Sequence, residues 1–229
     1  MNILCFSDFF NENESMQYAV IKLSPDFPGY EPGDDIDIFC RDVELFANNV
    51  LAFLKDYVGG KFSIRTSKTQ NKVQIDLLDG EKIHFRFDLI GNMPDYKNIK
   101  IKPSFFDVVI ENAVYKEFDG FNIKVPQIGD ECILRYMEYI EYFDKRPDKI
   151  KHTDYINRLV EKGLINNNIF FDRLYYYTQI PEQVYRSKSL KEKILERLKL
   201  TRTLFTKAQH LLKVKGFSAL VKKVLQRFK

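Results

Sequence analysis

The sequence predicts an α+β protein, in which a mixed sheet with flanking helices precedes a part made of helices alone. Up to about residue 127, short runs of alternating apolar residues are separated by turn formers, which is typical of strands. After that point apolar residues recur at helical spacing. The chain has 229 residues, 45% hydrophobic and 30% charged, which is a globular composition, and its length allows one large domain or one domain with an appendage.

The chain begins with two predicted strands and an amphipathic helix. Apolar alternation predicts a strand over 18–23 and a second strand over 35–40. Over 43–58 the apolar residues repeat every three to four positions, and Asp42 is placed to cap the first turn of this helix. A third strand is expected over 61–66.

The sequence of residues 71–91 predicts a β-hairpin. We expect a three-residue loop, Leu78–Gly80, which pairs Ile75 with Ile83 and keeps the apolar side chains of both strands on one face. This register places Arg86 and Asp88 on the opposite, polar face of the second strand.

A short helix over 104–112, a hairpin over 115–125 and a series of helices complete the predicted elements. The expected division of the chain is 1–127 for an α/β domain, 128–185 for a helical domain and 186–229 for a basic amphipathic tail.

Three aspartates are candidate metal ligands. Asp35 and Asp37 are two residues apart on a predicted strand, so both side chains emerge on one face. Two carboxylates on one face provide half of a Mg²⁺ site, and Asp88 on a later strand is the candidate third ligand. The alternative is that Asp35 and Asp37 are solvated residues of an edge strand.

These residues carry a resemblance to a known family. The order of Ser24, then Gly33-Asp-Asp-Ile-Asp-Ile-Phe39, then Phe87-Asp-Leu-Ile90 resembles the nucleotidyltransferase superfamily, which has a polymerase-β-like fold. The resemblance covers residues 18–90, and the helices after Asp130 are similar to the helical domain that often follows.

The resemblance implies that Asp35, Asp37 and Asp88 hold two Mg²⁺ ions, with Mn²⁺ as a substitute, and that Asp88 helps to activate the attacking hydroxyl. It implies transfer of a nucleotidyl or phospho-substituent from a nucleotide donor to a hydroxyl acceptor. Bacterial proteins of this kind are associated with surface-polysaccharide assembly, which implies a glycan acceptor.

The family also places a Gly-Ser pair at the nucleotide phosphates, and this sequence has Leu23-Ser24 there. Lys22, Ser24 and Arg86 are therefore the candidate nucleotide-binding residues. Lys22 also fits an ordinary lysine at a strand end, and Arg86 fits a pair with Asp88. Because Leu23 is bulky, we expect a nucleotide-diphosphate donor, such as a CDP-linked alcohol or sugar, over an NTP.

Two other functions stay open. One is a minimal nucleotidyltransferase that modifies a protein or small molecule together with a partner protein, and the other is an inactive nucleotide-binding module. The sequence has neither GxGxxG nor GxxxxGK[ST], which disfavours kinases and dehydrogenases. Its three cysteines show no CxxC spacing, which disfavours a zinc site and favours a reducing cytoplasm.

The segment 186–229 is strongly basic, with 14 Lys and Arg against two Glu, a net charge of +12. Its last part has an apolar stripe beside lysines and arginines, which predicts a helix at an anionic membrane surface. We therefore expect a cytoplasmic protein with a peripheral position at the inner face of the membrane. The alternatives are a helix that covers the core or a partner, and a nucleic-acid partner, which the net charge of −8 over residues 1–185 disfavours.

Overall fold

A computed structural model describes residues 4–180 of the chain, with the exception of 25, 59 and 98. Within these residues the fold is α+β, with one mixed sheet of five strands, a two-stranded sheet and six α-helices. The predicted basic tail over 186–229 lies outside the described residues. Among the helices of the described part, none combines the length and the apolar character that crossing a membrane requires.

The elements follow one another as α1 (Phe6–Glu12), β1 (Tyr18–Lys22), β2 (Asp34–Cys40), α2 (Val43–Lys55), β3 (Phe62–Lys68), β4 (Lys72–Asp79), β5 (Lys82–Ile90), α3 (Ser104–Glu111), β6 (Val114–Phe118), β7 (Phe121–Val125), α4 (Ile128–Tyr142), α5 (Lys151–Glu161) and α6 (Asn167–Thr178). A 3-10 turn, Pro147–Ile150, leads into α5.

The five-stranded sheet has the order β1-β2-β5-β4-β3. Strands β2 and β5 are parallel neighbours, and the other adjacent pairs are antiparallel. The sheet is therefore mixed, as predicted. The hairpin of β6 and β7 forms the second sheet, and β7 also contacts β1 and α1.

One face of the five-stranded sheet carries the hydrophobic core. Buried apolar side chains alternate along its strands because successive residues of a strand point to opposite faces. They are Ile36 and Ile38 of β2, Ile75 and Leu77 of β4, and Phe85, Phe87 and Leu89 of β5. The candidate site lies on the opposite face, which is polar at the site and apolar where Phe39 packs against Phe106 of α3.

Helix α2 closes this core and confirms the predicted helix. Its N-cap is Asp42, whose side chain accepts a hydrogen bond from the backbone N–H of Leu45 at 2.9 Å. This bond satisfies one of the free N–H groups at the start of the helix. The buried face of α2 consists of Phe46, Ala47, Val50 and Leu54.

Helix α1 was not predicted. It has seven residues, about two turns, so its periodic signal is short. Its aromatic residues Phe6, Phe9 and Phe10 are buried, and the ring of Phe9 lies 5.7 Å from those of both Phe46 and Phe87. The helix is stabilised by tertiary packing of these rings rather than by its length.

The predicted register of the β4–β5 hairpin is wrong. Asp79 lies opposite Lys82, so the loop has two residues, and Ile75 lies opposite Phe87 rather than Ile83. The loop begins at Gly80, whose φ of 61° is a conformation that favours glycine.

An irregularity of β5 explains the difference. Leu78 pairs with Ile83, whereas Leu77 pairs with Phe85, which leaves His84 as an extra residue. A bulge of this kind shifts the faces of the strand by one residue. The bulge therefore places Leu77 and Phe85 opposite each other on the apolar face, although the loop is shorter than expected.

The chain divides into two compact units. Of the described residues, the first unit comprises those from 4 to 96 and from 100 to 134, and the second comprises 97, 99 and those from 135 to 180. Both sheets belong to the first unit, and α5 and α6 belong to the second.

Candidate active site

The structure brings the three candidate carboxylates together. Asp37 of β2 lies directly opposite Asp88 of β5 in the parallel pair. Residues opposite each other on neighbouring strands point to the same face, and Asp35 shares that face because it lies two residues before Asp37. One carboxylate oxygen from each of the three aspartates lies within 4.8 Å of the others.

The turn before β2 is fixed to β5, which sets the position of Asp35. Gly33 has a φ of 95°, and its N–H donates a hydrogen bond to the carbonyl of His84 at 3.1 Å. The Asp34 carboxylate accepts a hydrogen bond from the Glu31 N–H at 2.9 Å. The bulge at His84 therefore also anchors the start of the strand that carries the first two aspartates.

A second bulge places Lys22 at the site. Along β1, Val20 pairs with Ile38, but Lys22 pairs with Asp37, so Ile21 is the extra residue. Without this bulge, regular antiparallel pairing would set Lys22 opposite the buried Ile36. The bulge instead puts the lysine on the polar face.

The ammonium group of Lys22 bridges the first two aspartates. Its Nζ lies 2.6 Å from Oδ2 of Asp35 and 3.3 Å from Oδ2 of Asp37. Burial lowers the pKa of Lys22, but the charges of Asp37 and Asp35 outweigh burial, so the pKa is raised above its usual value. Lys22 is therefore a positive charge within the cluster at neutral pH.

The carboxylate of Asp37 is in an unfavourable electrostatic environment. Burial is the largest cause that raises the pKa of this carboxyl group, and the charge of Lys22 opposes the shift. The neighbouring charges of Asp35 and Asp88 add to the effect of burial, and the pKa reaches about 6. A cation of higher charge bound between these groups would relieve the conflict.

Asp88 is held by two residues of β4. Its Oδ2 accepts a hydrogen bond from Lys72 Nζ and its Oδ1 accepts one from Gln74 Nε2, both at 2.9 Å. Asp88 is buried, and Gln74 is its partner in the β4–β5 register. These two positioning residues were not predicted, because the hairpin register that brings them to Asp88 was not the expected one.

Arg86 is held by a different aspartate from the one expected. Its Nε lies 2.6 Å from Oδ1 of Asp76, and a second guanidinium nitrogen lies 3.0 Å from Oδ2. Arg65 also donates to Asp76 Oδ2 at 2.6 Å. Asp76 is only 3% exposed, so this two-arginine cluster is a structural ion pair of the sheet. The pair of Arg86 with Asp88 left open by the sequence is not formed.

Leu23 and Ser24 follow β1. Leu23 packs against the hydrophobic core, which gives the bulky residue at this position a structural role. The carbonyl of Ser24 accepts a hydrogen bond from the Phe27 N–H at 3.1 Å and thereby closes a turn. A contact between the Ser24 hydroxyl and a phosphate stays a prediction.

The donor set fits a hard divalent cation. Three carboxylates converge on the polar face, and carboxylate oxygens are the ligands that Mg²⁺ and Mn²⁺ prefer. The ion pairs of Asp35 and Asp37 with Lys22 use Oδ2 of each carboxylate. The residues that would hold the ion are Asp35, Asp37 and Asp88.

The chain matches no known protein-family model and no curated protein. Among solved structures it shows a low similarity to the crystal structure of JHP933 from Helicobacter pylori, with a TM-score of 0.32 and 8% sequence identity over 90% of this chain and 93% of that chain. Similarity at this level does not establish a shared fold.

Proposed function

We propose that this protein is a Mg²⁺-dependent transferase that moves a nucleotidyl or phospho-substituent from a nucleotide donor to a hydroxyl acceptor. The observation that carries the proposal is the parallel register of β2 and β5, which sets Asp37 opposite Asp88 and gathers three carboxylates on one face. The nucleotidyltransferase-like order of these residues along the chain supports the same function.

In this proposal the three aspartates hold the divalent cation against the donor phosphates. The metal supplies charge stabilisation for the phosphorus centre during transfer. The hydrogen bonds from Lys72 and Gln74 orient the carboxylate of Asp88 toward the attacking hydroxyl. Lys22 lies beside Asp35 and contributes a further positive charge for the donor.

The proposed donor carries a diphosphate, as in a CDP-linked alcohol or sugar. The side chain of Leu23 is packed against the core at the place where a glycine would let the backbone approach a triphosphate. Arg86 is already bound to Asp76. Of the three candidate residues, Lys22 and Ser24 are therefore the ones proposed to contact the phosphates.

The proposed acceptor is a membrane-associated glycan, and the proposed location is the cytoplasmic face of the membrane. This part of the proposal depends on the sequence of 186–229, whose net charge of +12 suits an anionic surface. The alternative is that the enzyme modifies a protein or a small molecule and acts together with a soluble partner protein.

An inactive nucleotide-binding module is the second candidate. The observation that favours it is the contact of Lys22 with both Asp35 and Asp37, since a lysine in this position neutralises ligands that a metal would otherwise use. The two candidates differ in turnover and not in nucleotide binding.

The test is a turnover assay with Mg²⁺ and a panel of labelled CTP, ATP and CDP-linked donors, with the wild-type chain and Asp35→Asn. We expect Asp35→Asn to lose at least a hundredfold in turnover with the fold retained, since it removes a ligand and no core group. Asp79→Asn is the matched control, because Asp79 is an exposed aspartate of the same sheet that pairs with Lys61. Equal turnover of all three proteins would contradict the proposal.

A further inference from the structure

The polar face of the sheet carries two lysines for three aspartates. Lys22 contacts Asp35 and Asp37, and Lys72 contacts Asp88, so each carboxylate of the cluster has an ammonium partner. The pairing of Lys22 depends on the bulge of β1, which turns this residue from the core face to the polar face. The lysine is therefore built into the sheet at this point and is not a chance contact of a loop.

The charges at the site decide how many divalent ions it accommodates. Three carboxylates and two ammonium groups sum to about −1 when all are ionised. One divalent cation changes this sum to about +1, whereas two would raise it to about +3, an excess that only a highly charged polyphosphate offsets. An unbalanced charge in a partly buried site is costly.

We propose that Lys22 is a built-in cation that takes the place of one of the two divalent ions implied by the nucleotidyltransferase resemblance, so that the site binds a single ion. This inference rests on the proposed function. The ion is held by one carboxylate oxygen from each of Asp35, Asp37 and Asp88, while the ammonium group stays on the two Oδ2 atoms. A site with one ion and one lysine suits a diphosphate donor, which has less negative charge than a triphosphate.

The experiment counts bound Mn²⁺ by electron paramagnetic resonance and calorimetry, with Mn²⁺ alone as the probe and the full chain as the protein. We expect one ion per chain at saturation for the wild type. Lys22→Gln removes the ammonium group and is expected to bind two ions, the first about tenfold more tightly than the wild type. Lys22→Arg keeps a positive charge and is expected to bind one ion.

Lys61→Gln is the matched control, because Lys61 forms a 2.6 Å ion pair with Asp79 away from the cluster. It should bind Mn²⁺ as the wild type does. Two ions in the wild type, or the same count and affinity in the wild type and Lys22→Gln, would overturn the inference.

Failure of the proposed function gives a different result. In that case the wild type and Lys22→Gln would both leave Mn²⁺ unbound, and Asp37→Asn would change nothing. A single ion that disappears in Asp37→Asn supports the metal site, and its count in the Lys22 variants then decides the role of the lysine.

Discussion

Asp37 and Asp88 lie directly opposite each other on the parallel strands β2 and β5, so the fold itself holds two like charges side by side. The pKa of Asp37, raised to about 6 by burial and by its acidic neighbours, is the electrostatic consequence. An arrangement that disfavours the metal-free protein is typical of a site that gains stability when a ligand binds.

We predict that Asp37→Asn stabilises the metal-free protein while it removes the metal site. Below the unfolded pKa of about 3.8 the carboxyl group is protonated in both states and has no effect. Above the folded pKa of about 6 it is ionised at an unfavourable place in the folded state. The variant should therefore gain about 1–2 kcal/mol at pH 8 and almost nothing below about pH 3.

The measurement is urea unfolding followed by circular dichroism, because the chain contains no tryptophan for fluorescence. Glu117→Gln, an exposed acidic residue of β6, is the control for removing one negative charge. A loss of stability in Asp37→Asn at pH 8 would show that the conflict at this residue is already relieved in the metal-free protein.

Side chains alternate between the two faces of a strand, and this alternation along β2 and β5 was enough to predict that Asp35, Asp37 and Asp88 lie on the polar side of their strands. It could not predict that Lys22 joins them. The two bulges, at Ile21 and His84, depend on the partner strand, so nothing in the local sequence marks them.

The ion pairs around the site show the same limit. The expected hairpin register predicts that Asp76 pairs with Lys82, yet in the structure Asp76 binds Arg86 and Arg65 and is buried. Its role follows from the register of three strands at once, since Asp76 lies opposite both Arg65 and Arg86. A sequence gives the faces of single strands more readily than the pairing between them.

We predict that Asp76→Asn destabilises the protein by about 2–4 kcal/mol at neutral pH, because it leaves two arginines with a buried neutral partner. Burial opposes ionisation of Asp76, but the hydrogen bonds and charges of Arg86 and Arg65 outweigh it and lower its pKa. Urea unfolding measures the loss. Asp79→Asn, which breaks the exposed pair with Lys61, should cost less than about 1 kcal/mol.

The same pair of variants separates structure from function. Binding of Mn²⁺ to folded Asp76→Asn should match the wild type, because Asp76 is not among the three converging aspartates. Loss of binding in the folded variant would show that the arginine cluster also orders the metal site.

In the helical unit we predict a loss of stability in acid that depends on Glu138. This residue of α4 pairs with the buried side chains of Lys149 and His152. Burial would raise the pKa of Glu138, but its contacts with His152 and Lys149 outweigh burial and lower the pKa to about 2. Burial lowers the pKa of His152 despite its contact with Glu138.

The pKa values of Glu138 and His152 are both lowered in the folded state. The stabilisation that each group contributes is therefore complete at neutral pH and is lost as the pH falls. The contribution of His152 declines below its usual pKa near 6.5. That of Glu138 declines from about 4.5 toward 2, by at most about 3 kcal/mol. Acid titration followed by circular dichroism measures both. Glu138→Gln should be less stable at pH 7 and should lose less between pH 5 and pH 3 than the wild type.

For the segment beyond the described residues we predict binding to anionic bilayers. The motivation is the net charge of +12 over 186–229 beside an apolar stripe. Sedimentation with vesicles rich in phosphatidylserine at low salt should pellet the full chain, and a chain that ends before Thr201 should stay in the supernatant. Equal pelleting of the two proteins would contradict the prediction, and complete release by salt would show that charge outweighs insertion.

The donor prediction concerns Leu23, which packs against the core at the position where the resembled family has glycine. We expect the wild type with Mg²⁺ to bind CDP or a CDP-linked compound more tightly than CTP in calorimetry, because a bulky residue keeps the backbone away from a longer phosphate chain. Leu23→Gly should reverse this preference by about tenfold and lose about 2–3 kcal/mol of stability, since it removes a packed side chain and adds backbone freedom. Leu23→Ala separates the two effects, because it removes most of the packing but keeps the Cβ that restricts the backbone. Tighter binding of CTP by the wild type, with release of pyrophosphate when an acceptor is added, would exclude the diphosphate donor and leave nucleotidyl transfer by the same three aspartates.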